Sequence, residues 1–128
     1  MAAKYKDPRI CFIAEMIKRI EYLDNVPDDI LFDLIFSMKY ISFEKDSNVL
    51  SKNQRITSIQ FIEEGIVEVW TSFDGNVFRI DTLGPGTVIN YRSVFLRDQM
   101  YVELRAVTEV KMLDLTLETL LALQQKHS

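Results

Sequence analysis

From Ile59 to Gly86 the chain reads IQFIEEGIVEVWTSFDGNVFRIDTLGPG. Apolar and polar positions alternate along it, and the interruptions fall on turn-forming residues. Val67, Val69 and Thr71 lie on one side of a strand, Glu68, Trp70 and Ser72 on the other. The breaks are Glu63-Glu64-Gly65 and Phe73-Asp74-Gly75-Asn76. Asp-Gly between two alternating runs is the strongest short-range hairpin signal, because both central residues must tolerate φ > 0. The pattern predicts two successive hairpins at the centre of a small antiparallel β-structure.

Helical periodicity frames this region. From Arg9 to Leu23 the residues Ile10, Ile13, Ala14, Ile17 and Ile20 recur at three- and four-residue spacing. Asp7-Pro8 is a start signal for that helix. A second helix begins at Val26-Pro27-Asp28-Asp29, where two carboxylates complement the amino-terminal dipole. It presents Ile30, Leu31, Leu34, Ile35 and Met38 to a core. Tyr40 to Phe43 reads as a strand, Glu44 to Ser47 as a turn, Asn48 to Leu50 as a short strand and Ser51 to Thr57 as a polar loop. Beyond Gly86 come Thr87 to Leu96, a polar Arg97-Asp98-Gln99, a strand from Met100 to Ala106 and a last strand around Val110 to Leu115. Leu115 to Lys126 is helix-like, with Thr116 as a cap and Leu117, Leu120, Leu121 and Leu123 as an apolar stripe.

Composition narrows the function classes. A chain of 128 residues supports one domain with a sizeable core, and 48% hydrophobic content excludes a disordered tail. The net charge of −4 and scattered Lys and Arg argue against a nucleic-acid partner. No run of eighteen apolar residues and no signal-peptide layout is present, which predicts a soluble cytoplasmic chain without membrane insertion. The single cysteine, Cys11, excludes an intrachain disulfide and reads as a small hydrophobe, since the one histidine, His127, lies at the far terminus. The carboxylate pairs Asp28-Asp29 and Glu63-Glu64 sit at a helix start and a turn, where capping and solvation explain them. With no nucleophile, metal cluster or phosphate-cradling Gly-rich loop, no catalytic residue, metal or cofactor is assigned.

Several separate pieces resemble the cyclic nucleotide-binding domain family. Its apolar pair, two spacers and glycine appear as Phe61-Ile62-Glu63-Glu64-Gly65, followed by Val67-Glu68-Val69; its Leu-x-x-Gly turn appears as Leu83-Gly84-Pro85-Gly86, and its Ala-x-Thr as Ala106-Val107-Thr108. The resemblance runs from about Ile17 to Leu123. It implies an α+β, mainly β fold: an antiparallel, eight-stranded, jelly-roll-like β-roll flanked by N-terminal and C-terminal helices. Residues 1–23 then form an N-terminal helical segment, and 24–128 the nucleotide-binding-like domain without the family's lid helix. Gly65, Gly75 and Gly86 are its structural turns. Lys45 stands where the family has a glycine in the turn after the first strand. No helix-turn-helix follows the β-region, as it does in the family's bacterial transcription factors.

The family's ligand signature is replaced. Where nucleotide-binding members read Phe-Gly-Glu, this chain has Ile89, Asn90 and Tyr91; Ser93 keeps the small residue, and the arginine position falls on Met100. A cyclic phosphate carries one negative charge, and a guanidinium supplies the paired, fork-like donors that a thioether lacks. Each such hydrogen bond is worth roughly 1.5–3 kcal/mol, so losing two or three weakens binding by about three orders of magnitude. Alternation puts Met100, Val102 and Leu104 on one face of their strand and Tyr101, Glu103 and Arg105 on the other, so Arg105 is no substitute. Arg92 and Arg97 obey no strand parity. The degenerate pocket positions are therefore Ile89, Asn90, Tyr91, Arg92, Ser93, Met100 and Val102, filled by the protein's own side chains or by a docking segment.

Amphipathic helices running into such a module, together with missing charged anchors, resemble the cytoplasmic end of voltage-gated cation channels of the ether-à-go-go and cyclic nucleotide-gated type. The resemblance implies a regulatory fragment of a potassium or other cation channel on the cytoplasmic side of a membrane. Its partners would be other domains of a tetrameric parent and an intrinsic peptide in the pocket. The alternative is a genuine cAMP or cGMP receptor, of the kinase regulatory subunit or exchange factor type, using Arg92 or Arg97.

Overall fold

The Asp7 side chain accepts the backbone N–H of Arg9 at 2.8 Å, and Pro8 fills the first turn, so helix α1 (Pro8–Lys18) begins where its capping chemistry places it. This is seen in a computed structural model of the protein, which describes residues 7–20, 23, 25–50, 57–89 and 102–126. α1 ends sooner than its periodicity predicts. Arg19, Ile20 and Leu23 donate to carbonyls three residues back, at 3.2, 3.1 and 2.9 Å. These tighter turns stop the helix while still leaving Ile20 fully buried. Helix α2 (Asp28–Ser37) starts after Pro27 with both carboxylates in its first turn. Met38 is already extended, at ψ 143°, and leads into the first strand.

Eight strands come next: β1 (Lys39–Phe43), β2 (Asn48–Leu50), β3 (Ser58–Glu64), β4 (Val67–Phe73), β5 (Asn76–Leu83), β6 (Val88–Ile89), β7 (Glu103–Ala106) and β8 (Val110–Thr116), with helix α3 (Leu117–Lys126) last. They form two four-stranded antiparallel sheets, ordered β1-β8-β3-β6 and β2-β7-β4-β5. This is the predicted eight-stranded β-roll with flanking helices. The helix predicted from Leu115 starts two residues later, because Leu115 and Thr116 still pair with Ile59 and Ser58. Thr116 caps it as expected, its hydroxyl accepting the Thr119 N–H at 3.1 Å.

Of the two predicted hairpins one exists. β4 and β5 pair from Val67↔Leu83 to Phe73↔Asn76 around Asp74 (φ 54°) and Gly75 (φ 81°), a two-residue turn with both central residues left-handed. β3 and β4 do not pair: β3 lies between β8 and β6, and β4 between β7 and β5. Gly65 (φ 97°) carries the chain from one sheet to the other. Burial explains why alternation misled there. Ile59, Gln60, Phe61 and Ile62 are all buried, so β3 is covered on both faces.

The helices cover one face of the first sheet. Leu113 lines a groove with α1 and α2 residues, so the row Tyr40–Leu113–Phe61 faces the helices and the row Ile41–Met112–Ile62 faces the other sheet. From α1, Ile13, Ala14, Met16 and Ile17 join one continuous core with Ile59, Phe61, Val67, Leu104, Met112 and Leu115. In the turn after β1 the left-handed residue is Asp46 (φ 69°), not Lys45, and aspartate tolerates that conformation. α3 buries no residue completely; Leu117, Leu120 and Leu123 pack against the core, and Lys126 pairs with Asp33 at 3.1 Å.

Gly65 and Gly75 share a positive φ but not their surroundings. A methyl group on Gly65 would run into the Glu109 carbonyl oxygen and sit 2.9 Å from the Val110 Cα, whereas nothing lies within 4 Å of one on Gly75. We expect Gly65→Ala to cost about 3 kcal/mol or more and Gly75→Ala about 1 kcal/mol. Urea melts of the two variants check this; equal losses would contradict it.

Candidate ligand pocket

The approach to the pocket is built from β3 outward. Gly86 N–H donates to the Ile62 carbonyl and Ile62 N–H to the Thr87 carbonyl, both at 2.9 Å, and Thr87 N–H closes a turn onto Gly84 at 3.2 Å. Pro85 and Gly86 (φ 91°) occupy the central positions, the arrangement of a type II turn. The predicted Leu-x-x-Gly motif is thus the joint that delivers β6.

β6 is two residues long, Val88 opposite Phe61 and Ile89 opposite Gln60. Ile89, the first signature position, is buried at 6% exposure and belongs to the core. Gln60, directly across from it, is also 6% exposed, and its Oε1 has no hydrogen-bond partner among the described residues. Val102, at the far end of the predicted segment, is half-buried against the core. Asn90, Tyr91, Arg92, Ser93 and Met100 lie outside the described residues. Of the structural turns, Gly65, Gly75 and Gly86 all have positive φ.

The two faces of the second sheet are chemically opposite. Val67, Val69, Leu104 and Ala106 are buried and face the first sheet. On the outer face, Arg105 stacks over the Trp70 ring at 5.1 Å and pairs with Glu103 at 3.2 Å. Arg79 donates to Glu68 at 2.9 Å, and Trp70 Nε1 donates to the same carboxylate at 3.3 Å. Arg105 is therefore committed outside the roll, as strand parity requires. The Arg79 hydrogen bond, aided by that of Trp70, holds the Glu68 carboxyl below the usual carboxylate range.

The depressions lined by described residues include two close to these contacts. One, of about 150 Å³, lies on this outer face against Trp70, Val77, Glu103 and Arg105. The other, of about 360 Å³, is a groove of mixed polarity lined by Asp7 and Arg9 as well as by Ile13 of α1, Phe36 of α2, Tyr40 and Leu113. At its mouth Arg9 grips Glu63 with two hydrogen bonds, at 2.9 and 2.8 Å, and lies 5.4 Å from the Tyr40 ring centre. The Glu63 hydrogen bond raises the Arg9 pKa. Neither depression is formed by Ile89 or Val102. No group of three or more His, Cys, Asp or Glu among the described residues is placed to hold a metal ion, and no described helix is long and apolar enough to cross a membrane.

Sequence reasoning missed the contacts that hold this frame together. Thr108 Oγ1 accepts the Ile66 N–H at 3.1 Å, so the Ala-x-Thr and glycine-turn motifs meet at one point. Arg19 Nη1 donates to the Gly86 carbonyl at 2.6 Å. Partners 42 and 67 residues apart leave no local signal.

Comparison with known proteins agrees with this geometry. The family model described as cyclic nucleotide-binding domain matches residues 40–127. The chain belongs to the cyclic nucleotide-binding domain family. No curated protein matches it by sequence. Among solved structures, a cyclic nucleotide-binding-like protein from Brucella abortus superposes with a TM-score of 0.79 at 11% identity, covering 88% of this chain and 97% of that one. The N-terminal domain of a transcriptional regulator from Streptomyces coelicolor gives 0.79 at 22%, covering 88% and 79%. The regulatory domain of Toxoplasma gondii PKA, crystallised with cAMP, gives 0.79 at 13%, covering 93% of this chain and 46% of that one. At such identities the likeness establishes the fold alone.

Arg79→Ala removes the first cause of the depressed Glu68 pKa. The Glu68 carboxyl resonance, followed by NMR as pH is lowered, should then titrate at higher pH than in the parent. An unchanged midpoint would assign the depression to Trp70 instead.

Proposed function

We propose that this chain is a conformational regulatory module whose pocket does not hold a cyclic nucleotide in the family's usual mode. One observation carries the reading: at the aligned positions, tyrosine replaces the ribose-binding glutamate and methionine the phosphate-binding arginine, at Tyr91 and Met100. Without a guanidinium, a half-buried phosphate has no paired cation. Arg105, on the correct strand, is occupied with Trp70 and Glu103 on the outer face, which supports the same conclusion.

The module works by differential packing. A roll with helices at both ends passes a change at the pocket to whatever is attached, provided the occupant prefers one packing over another. We propose an intrinsic peptide or a partner domain as that occupant, touching Tyr91, Arg92, Met100 and Val102. The parent we propose is a voltage-gated potassium or other cation channel of tetrameric build, with this module on the cytoplasmic side. Amphipathic helices entering the roll and the missing anchors support it. Catalysis has no part in the reading.

A second reading is favoured by the comparisons, since similar folds include a transcriptional regulator and a kinase regulatory domain crystallised with cAMP. In that reading Arg92 or Arg97 supplies the cation and the chain binds cAMP or cGMP. Titrating the protein with each nucleotide, with amide shifts as the readout, separates the two. We expect no saturable shift at Asn90 to Ser93 below about 100 μM, a binding free energy near −5.5 kcal/mol. Saturation below that concentration would establish the second reading.

Restoring the missing groups gives a converse result. Tyr91→Glu with Met100→Arg is expected to create measurable cAMP affinity, about tenfold or more above the parent, because each restored charge-assisted hydrogen bond adds binding energy. A flat titration of this double variant would count against the aligned positions.

A further inference from the structure

We infer that the free edge of β5 is a docking surface for a second copy of this chain, two β4–β5 hairpins joining edge to edge about a two-fold axis at Phe78. The inference goes beyond the reading of the pocket and does not depend on what the pocket holds.

The far end of this hairpin is both exposed and apolar. The described β7 pairs with β4 only from Val67 to Trp70, so from Thr71 to Arg79 the two strands run on as a ribbon. Among the described residues no strand pairs with the other side of β5. Every residue from Asn76 to Thr82 is exposed, and Phe73 at 75%, Val77 at 59%, Ile80 at 56% and Phe78 at 47% give this ribbon an apolar surface that no core covers. A two-stranded ribbon is marginal by itself, and an unpaired edge is a template for another strand. From Phe73 to Leu83 the chain has neither lysine nor proline, the residues that ordinarily block such an edge. A bulge does interrupt it: Trp70 pairs with Arg79 and Val69 with Asp81, which leaves Ile80 extra. The stretch open to pairing is therefore Asn76 to Arg79.

That stretch is complementary to itself. Asp74 (φ 54°) and Gly75 (φ 81°) make a two-residue turn, so the closing pair Phe73↔Asn76 exchanges both backbone hydrogen bonds. Alternation then turns the N–H and C=O of Asn76 and Phe78 toward β4, and those of Val77 and Arg79 toward the open edge. A two-fold at Phe78 sets Val77 of each copy opposite Arg79 of the other, and each of these pairs exchanges two hydrogen bonds. A two-fold at Val77 would use a single such pair within the stretch, and one at Arg79 would oppose like charges. Side-chain parity agrees with the choice: Phe78, opposite Thr71, shares a face with Phe73, and Val77, opposite Ser72, shares the other face with Arg79. The phenylalanines of both copies gather on one face, with Phe78 meeting its own counterpart in the closer, non-hydrogen-bonded pairing. Charge permits the approach, since each Arg79 faces a valine and is already paired with its own Glu68 at 2.9 Å. The product is one sheet running through two copies, β2-β7-β4-β5 followed by its two-fold repeat.

Equilibrium sedimentation of the whole chain tests this. Over so short a pairing stretch we expect a weak dimer, with a dissociation constant of about 100 μM, so the average mass should climb toward that of two chains as the concentration approaches about 1 mM. A single-chain mass throughout would overturn the inference and leave the edge to a partner of another kind. Val77→Pro removes an edge-facing N–H and spares the β4–β5 ladder, and it should weaken association about tenfold or more. Retention of the Phe73–Asn76 cross-strand contact by NMR shows that the hairpin of this variant is intact; association as strong as the parent's would then contradict the edge. The register has its own test, because residue 78 lies opposite itself. Phe78→Lys and Phe78→Glu should each associate about tenfold more weakly than the parent, and an equal mixture of the two should recover to within about threefold of it. A mixture no stronger than its components, or single variants that dimerise like the parent, would overturn the two-fold at Phe78.

Discussion

The crossing at Gly65 is the constraint on which the rest of this molecule depends. β3 and β4 are consecutive, with a single short turn between them, yet they belong to different sheets, so the backbone must reverse direction and leave its layer at once. A left-handed residue without a side chain permits this, and the Glu109 and Val110 backbone closes in on the space left free. Thr108 then binds the Ile66 N–H, and Val107 N–H donates to the Ile66 carbonyl at 2.9 Å. The chain entering β4 and the chain entering β8 are locked at one point. With that point fixed, β4 pairs with β7 and β3 with β8, and the roll closes.

Closure sorts the side chains by chemistry. Inside, Val67, Val69, Leu104 and Ala106 meet the row of Ile62 and Met112 from the other sheet, an apolar interior with Gln60 as its buried polar member. Outside, β4, β5 and β7 carry Glu68, Trp70, Arg79, Glu103 and Arg105, which satisfy one another across the sheet. Pairings this exposed are each worth a fraction of a kcal/mol to about 1 kcal/mol, so they commit the cations more than they stabilise the fold. The consequence for function is one of supply. The described guanidiniums are engaged on the outer surface or on α1, and the interior receives none from β7.

α1 is joined to the roll by more than packing. Its apolar face shares the core, so the helix is not an appendage, but its two arginines reach past the core to Glu63 and to the Gly86 carbonyl. Both anchor points lie on or next to the segment that leads to the signature positions.

Much of this was legible in the residues. Asp7-Pro8, Thr116, the Asp74-Gly75 turn and the apolar periodicity of α1 and α2 are local instructions, each acting over a few residues, and they give elements close to those observed. The family motifs gave the roll and its glycine turns, and strand parity alone placed Arg105 outside. Local pattern did not decide which strands pair. β3 and β4 look like a hairpin because alternation reports on a strand's own faces and carries no information on which sheet it joins. Nor did periodicity show that α1 ends in tight turns at Arg19, that Asp46 takes the left-handed position beside Lys45, or that Arg19 meets Gly86. Those outcomes depend on backbone groups brought together across 40 residues or more, or on the geometry of a single turn. Residue order alone specified the repertoire of elements and where their caps and turns fall; folding settled the layering and the ties, because hydrogen bonds between distant segments exist only once the core has set their distance.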